Sequence, residues 1–388
     1  MKFTHLATAL SIALLSTAAS ADEVLIGDLH PITGPATYYG LPESNGIKLA
    51  AEQINAAGGI SIGGKSYQIK VVTEDTQGNP TTGVAALRKL VNQNVHYVIG
   101  PLSSGVAPAL KPIIERNADM TQIIDGAITE NLTNGRNVFR NQATVNGYNV
   151  SVVALFKDKK FPSVAFMTDR FHAGFMGSQK QLISDLEALG TKITDEKYYK
   201  LNDTDFSATL TSLKSTNPAV ILVRGYPAEA ALIVKQIRQL GLSSQIVWEM
   251  VSPPSTVLKN IPSDQMNGVL NCVPPTTEDY VHLKDEKALA LDKAYRAKFN
   301  TAPGELTALS FDAVHILKAA FEKAGSLENA AVNKALSGLK VADVSAAITR
   351  YTPYADGKLF DSQGQVDLRG ACGVWKNDTW NPLQTASQ

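Results

Sequence analysis

Two serines lie where a predicted buried strand runs into a predicted helix. Residues 97–99 read as the strand, Gly100 and Pro101 follow it, and a helix is expected from about Ser104. Backbone amides in the first turn of a helix bind anions, and open α/β sheets hold ligands beyond the carboxyl ends of their strands. Ser103 and Ser104 are therefore candidates for holding a carboxylate. Ser104 could instead simply cap its helix, and both roles can hold together.

Further candidates lie at the ends of three later predicted strands, over residues 164–167, 220–223 and 246–248. Arg224 could pair with an anionic ligand or with a structural carboxylate. Glu249 could accept an ammonium group or be a solvated loop charge. Phe171 and His172 follow the first of these strands, and their side chains could form a pocket wall or lie in a loop.

One stretch matches a nucleotide-binding pattern in the wrong context. Residues 59–66 fit the P-loop expression GxxxxGK[ST], but a true P-loop follows a strand and starts a helix that holds phosphate. Here a helix precedes the stretch and a strand follows it, so we predict a glycine-rich, hairpin-like loop. GxGxxG and HExxH are absent from the sequence, and no nucleophile–base pair is visible. We therefore expect neither an enzyme nor a cofactor.

The composition excludes other classes of function. Lys plus Arg and Asp plus Glu both number 36, so the chain lacks the basic excess typical of nucleic-acid or anionic-membrane binding. The six histidines are scattered without ligand spacing and CxxC is absent, so a zinc site is not expected. Cys272 and Cys372 could form one disulfide or remain two buried thiols, since the sequence does not place their Cα atoms.

The first 21 residues read as a cleavable export signal. Lys2 and His5 give a weakly basic start, an apolar run covers residues 6–18, and Ala19-Ser20-Ala21 fits an A-x-A cleavage site. The alternative is a membrane anchor, but about 13 apolar residues fall short of the ~20 that span a bilayer. We expect an exported, soluble mature chain that starts at Asp22.

Strands alternating with helices of 10–15 residues run twice through the sequence, from about residue 24 and again from about residue 163. This alternation predicts two similar α/β lobes with mostly parallel sheets flanked by helices. The roughly 367 residues after the signal also exceed the size at which one core stops growing. Residues 284–338 read as mainly helical, and 357–380 as a hairpin around Asp361-Ser362-Gln363-Gly364; both are expected to complete the two lobes.

Six short motifs occur in one order along the chain. They are Ile32-Thr33-Gly34-Pro35 with Tyr39-Gly40, residues 52–60, Val98-Ile99-Gly100-Pro101, Val138-Phe139-Arg140, residues 203–207, and Gly225-Tyr226-Pro227. Their combination resembles the leucine/isoleucine/valine-binding protein family, the type I periplasmic components of ABC importers, over essentially the whole mature chain. The resemblance implies a two-lobed clamp whose chain crosses a hinge three times. The implied segments are 22–142 and 273–350 for lobe 1, and 143–272 and 351–388 for lobe 2.

The resemblance also implies roles for three residues. Tyr39 matches the aromatic residue that walls the ligand side chain. Ser104 matches the serine whose hydroxyl and amide hold the ligand carboxylate. Tyr226 matches an aromatic residue of the second lobe that covers the ligand.

Two departures from the family concern the ligand amine. The family's threonine falls on Ile128, beside Ala127, unless the loop shifts to present Thr129. The second-lobe acid that receives the amine falls on Met250, with Glu249 one residue earlier. Carboxylate capture is thus implied to be kept. The apolar Ile128 and Met250 would suit a ligand without an amine, such as an aromatic acid.

The resemblance implies a non-enzymatic periplasmic binding component of an ABC importer that closes around a small carboxylate-bearing solute. A branched-chain or other amino acid is the family default. A binder of aromatic or other amine-free acids is the alternative, and a periplasmic ligand sensor is a second. The expected partners are the solute and an inner-membrane ABC permease, with no nucleic acid, and we expect a monomer.

Overall fold

The computed structural model describes residues 22–250, 252 and 254–383. The predicted export signal, residues 1–21, lies outside them. The described residues form two α/β lobes, one built on a six-stranded sheet and one on a seven-stranded sheet. This confirms the predicted fold class. Among these residues, no helix combines the length and the apolar character needed to cross a bilayer.

The first lobe has the strand order β2-β3-β1-β4-β5-β6, with β2 antiparallel to β3 and the other neighbours parallel. The strands are β1 Asp22–His30, β2 Ile60–Ile62, β3 Lys65–Asp75, β4 Tyr97–Ile99, β5 Thr121–Ile124 and β6 Val138–Arg140. The helices between them are α1 Thr37–Ala56, α2 Pro80–Asn92 and α3 Ala107–Glu115.

The false P-loop is a hairpin, as predicted. Strands β2 and β3 pair antiparallel, with Ile62 opposite Lys65. Gly63 and Gly64 join them with φ values of +59° and +83°, a left-handed geometry that favours glycine in a two-residue turn. The loop therefore lacks the helix start that a phosphate site needs.

The second lobe has the strand order β13-β12-β11-β10-β9-β7-β8. Its first elements are α4 Val145–Lys159, β7 Ser163–Asp169, α5 Ala173–Ala188, β8 Lys192–Tyr199, α6 Ser207–Thr216, β9 Val220–Arg224, α7 Pro227–Gln239, β10 Gln245–Trp248, α8 Pro254–Val257, α9 Ser263–Met266 and β11 Leu270–Val273. Strand β9 is buried at every residue, as expected for a parallel strand covered on both faces.

After β11 the chain returns to the first lobe, where α12 packs against α1. The returning helices are α10 Thr277–His282, α11 Glu286–Phe299, α12 Thr307–Ala324 and α13 Asn329–Ser337. The chain then re-enters the second sheet with β12 Ala371–Lys376 and β13 Thr379–Pro382. The chain thus passes between the lobes three times. The exact boundaries after residues 142, 272 and 350 stay a prediction.

The predicted hairpin around Asp361–Gly364 is wrong in its position. The hairpin of this region is formed by β12 and β13, which are joined at Asn377 and Asp378, both in the left-handed region. The turn at 361–364 closes locally instead, because the Asp361 carboxylate accepts hydrogen bonds from the backbone amides of Gln363 and Gln365. After it, Gln365 forms a parallel bridge with Arg140 of β6, and Asp367 forms a single antiparallel bridge with Thr352.

Cys272 in β11 and Cys372 in β12 are directly opposite each other and form a disulfide. Their separation of 100 residues encloses all four returning helices. A cross-link over so long a loop restricts the unfolded chain strongly. The disulfide therefore fastens the return segment of the chain to the second sheet.

We expect the double substitution Cys272→Ala and Cys372→Ala to lower the free energy of unfolding by about 2–5 kcal/mol, because the unfolded chain regains loop entropy. Urea denaturation of the oxidised protein measures this loss. As a control, dithiothreitol should destabilise the wild type and leave the double variant unchanged. Equal urea midpoints for the two proteins would contradict the prediction.

Candidate functional site

The two sheets point the carboxyl ends of their strands at a shared cavity of about 440 Å³. The first lobe lines it with the loops after β1, β3, β4 and β5, and the second lobe with those after β7, β8, β9 and β10. This is the position in which open α/β sheets hold ligands. The residues singled out from the sequence that line it are Tyr39, Ser103, Ser104, Ile128, Phe171, His172, Tyr226 and Met250.

Ser104 presents both donors that a carboxylate needs. Helix α3 begins at Ala107, three residues later than predicted, and Ser104 does not cap it. Its Oγ accepts a hydrogen bond from the Ile128 amide at 3.1 Å, so its hydroxyl proton remains available to a ligand. Within the described residues, the Ser104 amide donates to no protein acceptor.

Ala127 and Thr129 lie behind the cavity wall and hold it in place. The Thr129 hydroxyl donates to the Ser104 carbonyl at 3.1 Å. The Arg140 guanidinium donates to the carbonyls of Ala127 at 3.1 Å and Thr129 at 2.6 Å. The loop therefore presents Ile128 to the cavity, while Thr129 hydrogen-bonds to the backbone of Ser104.

Aromatic rings from both lobes meet across the cavity. The rings of Tyr39 and Tyr226 are 6.1 Å apart between centroids, and His172 lies 5.3 Å from Tyr226. His172 Nδ1 accepts from the Phe175 amide, so its ring caps α5. Burial and the nearby Arg224 charge lower the pKa of His172 to about 3, which keeps it neutral at the wall.

Phe171 lies at the rim of the cavity. Its side chain is 68% exposed, although the residue lines the opening. An exposed aromatic side chain at a cleft mouth offers contact area to whatever enters. Its predicted role as a ligand contact stays a prediction.

Arg224 and Glu249 are not among the described residues that line the cavity; they form a buried ion pair, which is the structural-carboxylate alternative for Arg224 and rules out a solvated loop charge for Glu249. Both side chains are fully buried, with Arg224 Nε 2.6 Å from Glu249 Oε2. Arg224 Nη2 also donates to Asn149 and Ser178. Burial raises the pKa of Glu249, and the guanidinium opposes that rise. Because the surroundings are apolar, burying either charge without the other would be energetically costly.

Sequence reasoning missed several lining residues, of which Asp169 is the most informative. Among the described residues lining the cavity it is the only carboxylate. Asp169 is the last residue of β7, so it lies at a strand end, where ligand contacts are expected. Only the aromatic residues that follow it were predicted as ligand contacts. Its Oδ1 accepts from the Phe171 amide at 2.9 Å, and burial raises its pKa to about 6. Tyr38, Tyr148 and Leu306 were missed because helices and a return loop supply them.

The family model described as "Periplasmic binding protein" matches residues 23–364. The chain belongs to this family. It is 32% identical to the Leu/Ile/Val-binding protein BraC3 of Rhizobium johnstonii, over 91% of this chain and 93% of that one. A leucine-, isoleucine-, valine-, threonine- and alanine-binding protein of Pseudomonas aeruginosa is 28% identical, over 94% and 93% of the two chains.

Solved structures agree with the sequence relatives. The branched-chain amino acid binding protein LivJ of Streptococcus pneumoniae, in complex with isoleucine, superposes with a TM-score of 0.74 at 25% identity, covering 94% of this chain and 99% of that one. The resemblance to the leucine/isoleucine/valine-binding proteins is thereby confirmed. The family consists of substrate-binding proteins rather than enzymes.

We expect Glu249→Ala to lower the free energy of unfolding by about 3–5 kcal/mol, because it leaves the Arg224 guanidinium buried without a counter-ion. Thermal and urea denaturation measure the effect. The matched control is Asp367→Ala, which breaks the exposed pair with Arg369 and should cost less than about 1 kcal/mol. Equal losses in the free energy of unfolding for the two variants would contradict the prediction that the buried pair contributes more than the exposed one.

Proposed function

We propose that this protein is the periplasmic substrate-binding component of an ABC importer and that it encloses a small carboxylate-bearing solute between its lobes. The observation that carries the proposal is the available Ser104 amide and hydroxyl proton, facing a cavity that Tyr226 covers from the other lobe. Export through the predicted signal at residues 1–21 would bring the chain to the periplasm. An inner-membrane permease would receive the closed form, and we expect the protein to act as a monomer.

The carboxylate would be held by neutral donors. No lysine or arginine is among the described residues lining the cavity, so hydrogen bonds and the nearby start of α3 must balance the negative charge. Hydrogen bonds to an ionised group are about twice as strong as neutral ones, and they strengthen when water is excluded. Ser104 supplies two such bonds from one residue.

The remaining wall selects an apolar body. Tyr39 and Leu306 come from the first lobe, and Tyr226 and Met250 from the second. The cavity of about 440 Å³ lies in the usual range for small-ligand pockets. A solute with one carboxylate and an aliphatic or aromatic group fits this pattern of donors at one side and apolar contacts around the rest.

The amine of an amino acid would have Asp169 as its partner. The names of the relatives, which describe binding of branched-chain amino acids, support this ligand class. A second candidate class is amine-free carboxylic acids, including aromatic ones. It is supported by the apolar Ile128 and Met250 and by the engagement of Glu249 with Arg224. A ligand with an amine would favour ionised Asp169, whereas an amine-free acid would favour neutral Asp169.

We expect Ser104→Ala to weaken binding of the carboxylate ligand by roughly 10- to 100-fold, because one charge-assisted hydrogen bond is lost. The ligand is first found by thermal shift with branched-chain amino acids, aromatic amino acids and aromatic acids, since saturation stabilises the folded state by about 2.7 kcal/mol at 100 times Kd. Isothermal titration calorimetry then gives the affinity.

The matched control for this variant is Ser337→Ala. It removes a serine hydroxyl that donates to the Gly135 carbonyl outside the cavity, and it should change affinity less than about threefold. Full affinity in Ser104→Ala would contradict the proposed role of Ser104 in holding the carboxylate. If no carboxylate of the panel stabilised the protein, the proposed ligand class would be wrong.

The pH dependence of binding separates the two ligand classes. A ligand with an ammonium group needs ionised Asp169, so its affinity should fall roughly tenfold from pH 7 to pH 5, through the Asp169 pKa of about 6. An amine-free acid should instead bind more tightly at pH 5, where Asp169 is neutral. Calorimetry at both pH values measures this, and Asp169→Asn should flatten either trend. An unchanged slope in Asp169→Asn would show that another group titrates.

A further inference from the structure

A second cluster of ionisable side chains lies behind the first-lobe wall, outside the solute cavity. It consists of His30 at the end of β1, Glu43 in α1 and Asp125 just after β5, all fully buried. One ligand atom from each lies within 4.8 Å of the others. We propose that these three side chains form a binding site for a divalent transition-metal cation of the Zn²⁺ type.

The spacing of the three groups matches metal coordination. His30 Nε2 lies 3.2 Å from Asp125 Oδ1 and 3.8 Å from Glu43 Oε2. Zinc bonds of about 2.0–2.2 Å in tetrahedral geometry place neighbouring ligand atoms roughly 3.3–3.6 Å apart. The two distances lie on either side of that range. A cation between the three side chains would therefore reach all of them with small side-chain movements.

The Glu43 carboxyl group is the second, independent reason for the proposal. Both of its oxygens are buried, and neither accepts a hydrogen bond from the described residues. A buried carboxyl group without a hydrogen bond is costly, and protein structures rarely keep one. A proton on His30 Nε2 can point at only one of the two carboxylates, whereas a cation can bind both. Glu43 Oε2 would then be the third protein ligand atom, beside His30 Nε2 and Asp125 Oδ1.

Groups around the cluster orient its ligands as they would around a metal. His30 Nδ1 donates to Asp28 Oδ1 at 2.7 Å, which leaves Nε2 facing Asp125 and Glu43. A carboxylate that fixes the far nitrogen of a histidine is the usual support of a metal-bound imidazole. Hydroxyl groups occupy the outer oxygens of Asp28 and Asp125, and the donors are Ser44, Thr73 and Ser310.

The position of the site suggests a structural role in the lobe that docks the solute. The ligands and their supports come from β1, α1, β3 and α12 and from the loop after β5, so a cation would fasten all five segments together. The backbone of Gly126 separates the cluster from the cavity. A Cβ atom there would lie 3.1 Å from Glu43 Oε1. The site is thus one backbone layer from the solute without contacting it.

Metal analysis of the whole chain, prepared without a polyhistidine tag, tests the proposal. The protein is stripped with a chelator, reloaded with Zn²⁺ and freed of excess metal before its metal content is measured. We expect about one zinc per wild-type chain, a melting temperature raised by several degrees, and loss of at least about 90% of the metal in Glu43→Gln. The matched control is Glu305→Gln, a buried carboxyl of the same lobe outside the cluster, which should keep the metal.

A spectroscopic measurement on the wild type covers the case in which Glu43→Gln does not fold. Co²⁺ loaded in place of Zn²⁺ should give the visible absorption bands of a low-coordinate site, and Zn²⁺ should abolish them by competition. Wild-type protein that retains neither metal would overturn the proposal and leave protons shared within the cluster. Equal zinc in wild type and Glu43→Gln would also overturn it, because the metal would then lie elsewhere. Solute binding is read separately, so the two proposals fail independently.

Discussion

The arrangement of the cavity depends on one stretch of backbone pairing at the hinge. The Arg140 amide donates to the Gly364 carbonyl at 2.8 Å, and the Val366 amide donates to the Arg140 carbonyl at 3.2 Å. The Arg140 side chain, meanwhile, holds the Ala127 and Thr129 carbonyls. Burial lowers its pKa only to about 10, so it stays charged at neutral pH. One residue thus joins the hinge to the loop that fixes Ser104.

The second lobe contains a fully buried ion pair, Arg224–Glu249, that ties several of its elements together. Arg224 ties β9 to α4 and α5 through Asn149 and Ser178, and it is neutralised by Glu249 at the end of β10. Helix α5 begins at the His172 cap, so this pair also fixes the ring that faces Tyr226. Because these two charges are paired inside the lobe, they add no net charge to its cavity wall, where Asp169 is the only carboxylate among the described residues.

Local sequence patterns predicted most helices and strands. The features that were not predicted depend on contacts between residues far apart in the sequence. The alternation of strands and helices gave the lobes, and the strand-end rule brought Ser104, His172 and Tyr226 to one cavity because parallel strands share one carboxyl edge. No local signal says that Arg224 lies beside Glu249, 25 residues away. The hairpin was misplaced because Asp361 closes a turn that looks like a hairpin loop.

The proposed binding of a carboxylate without a cationic partner would have a consequence for release. A buried lysine or arginine would attract the carboxylate whether the lobes were closed or open, since its charge acts over several ångströms. The Ser104 amide and hydroxyl act only at hydrogen-bond distance, and water replaces them once it enters. Affinity for the proposed ligand would then depend on Tyr226 and its lobe excluding water from the cavity. Separation of the lobes would weaken every polar contact to that ligand at once, as the proposed delivery to a permease requires.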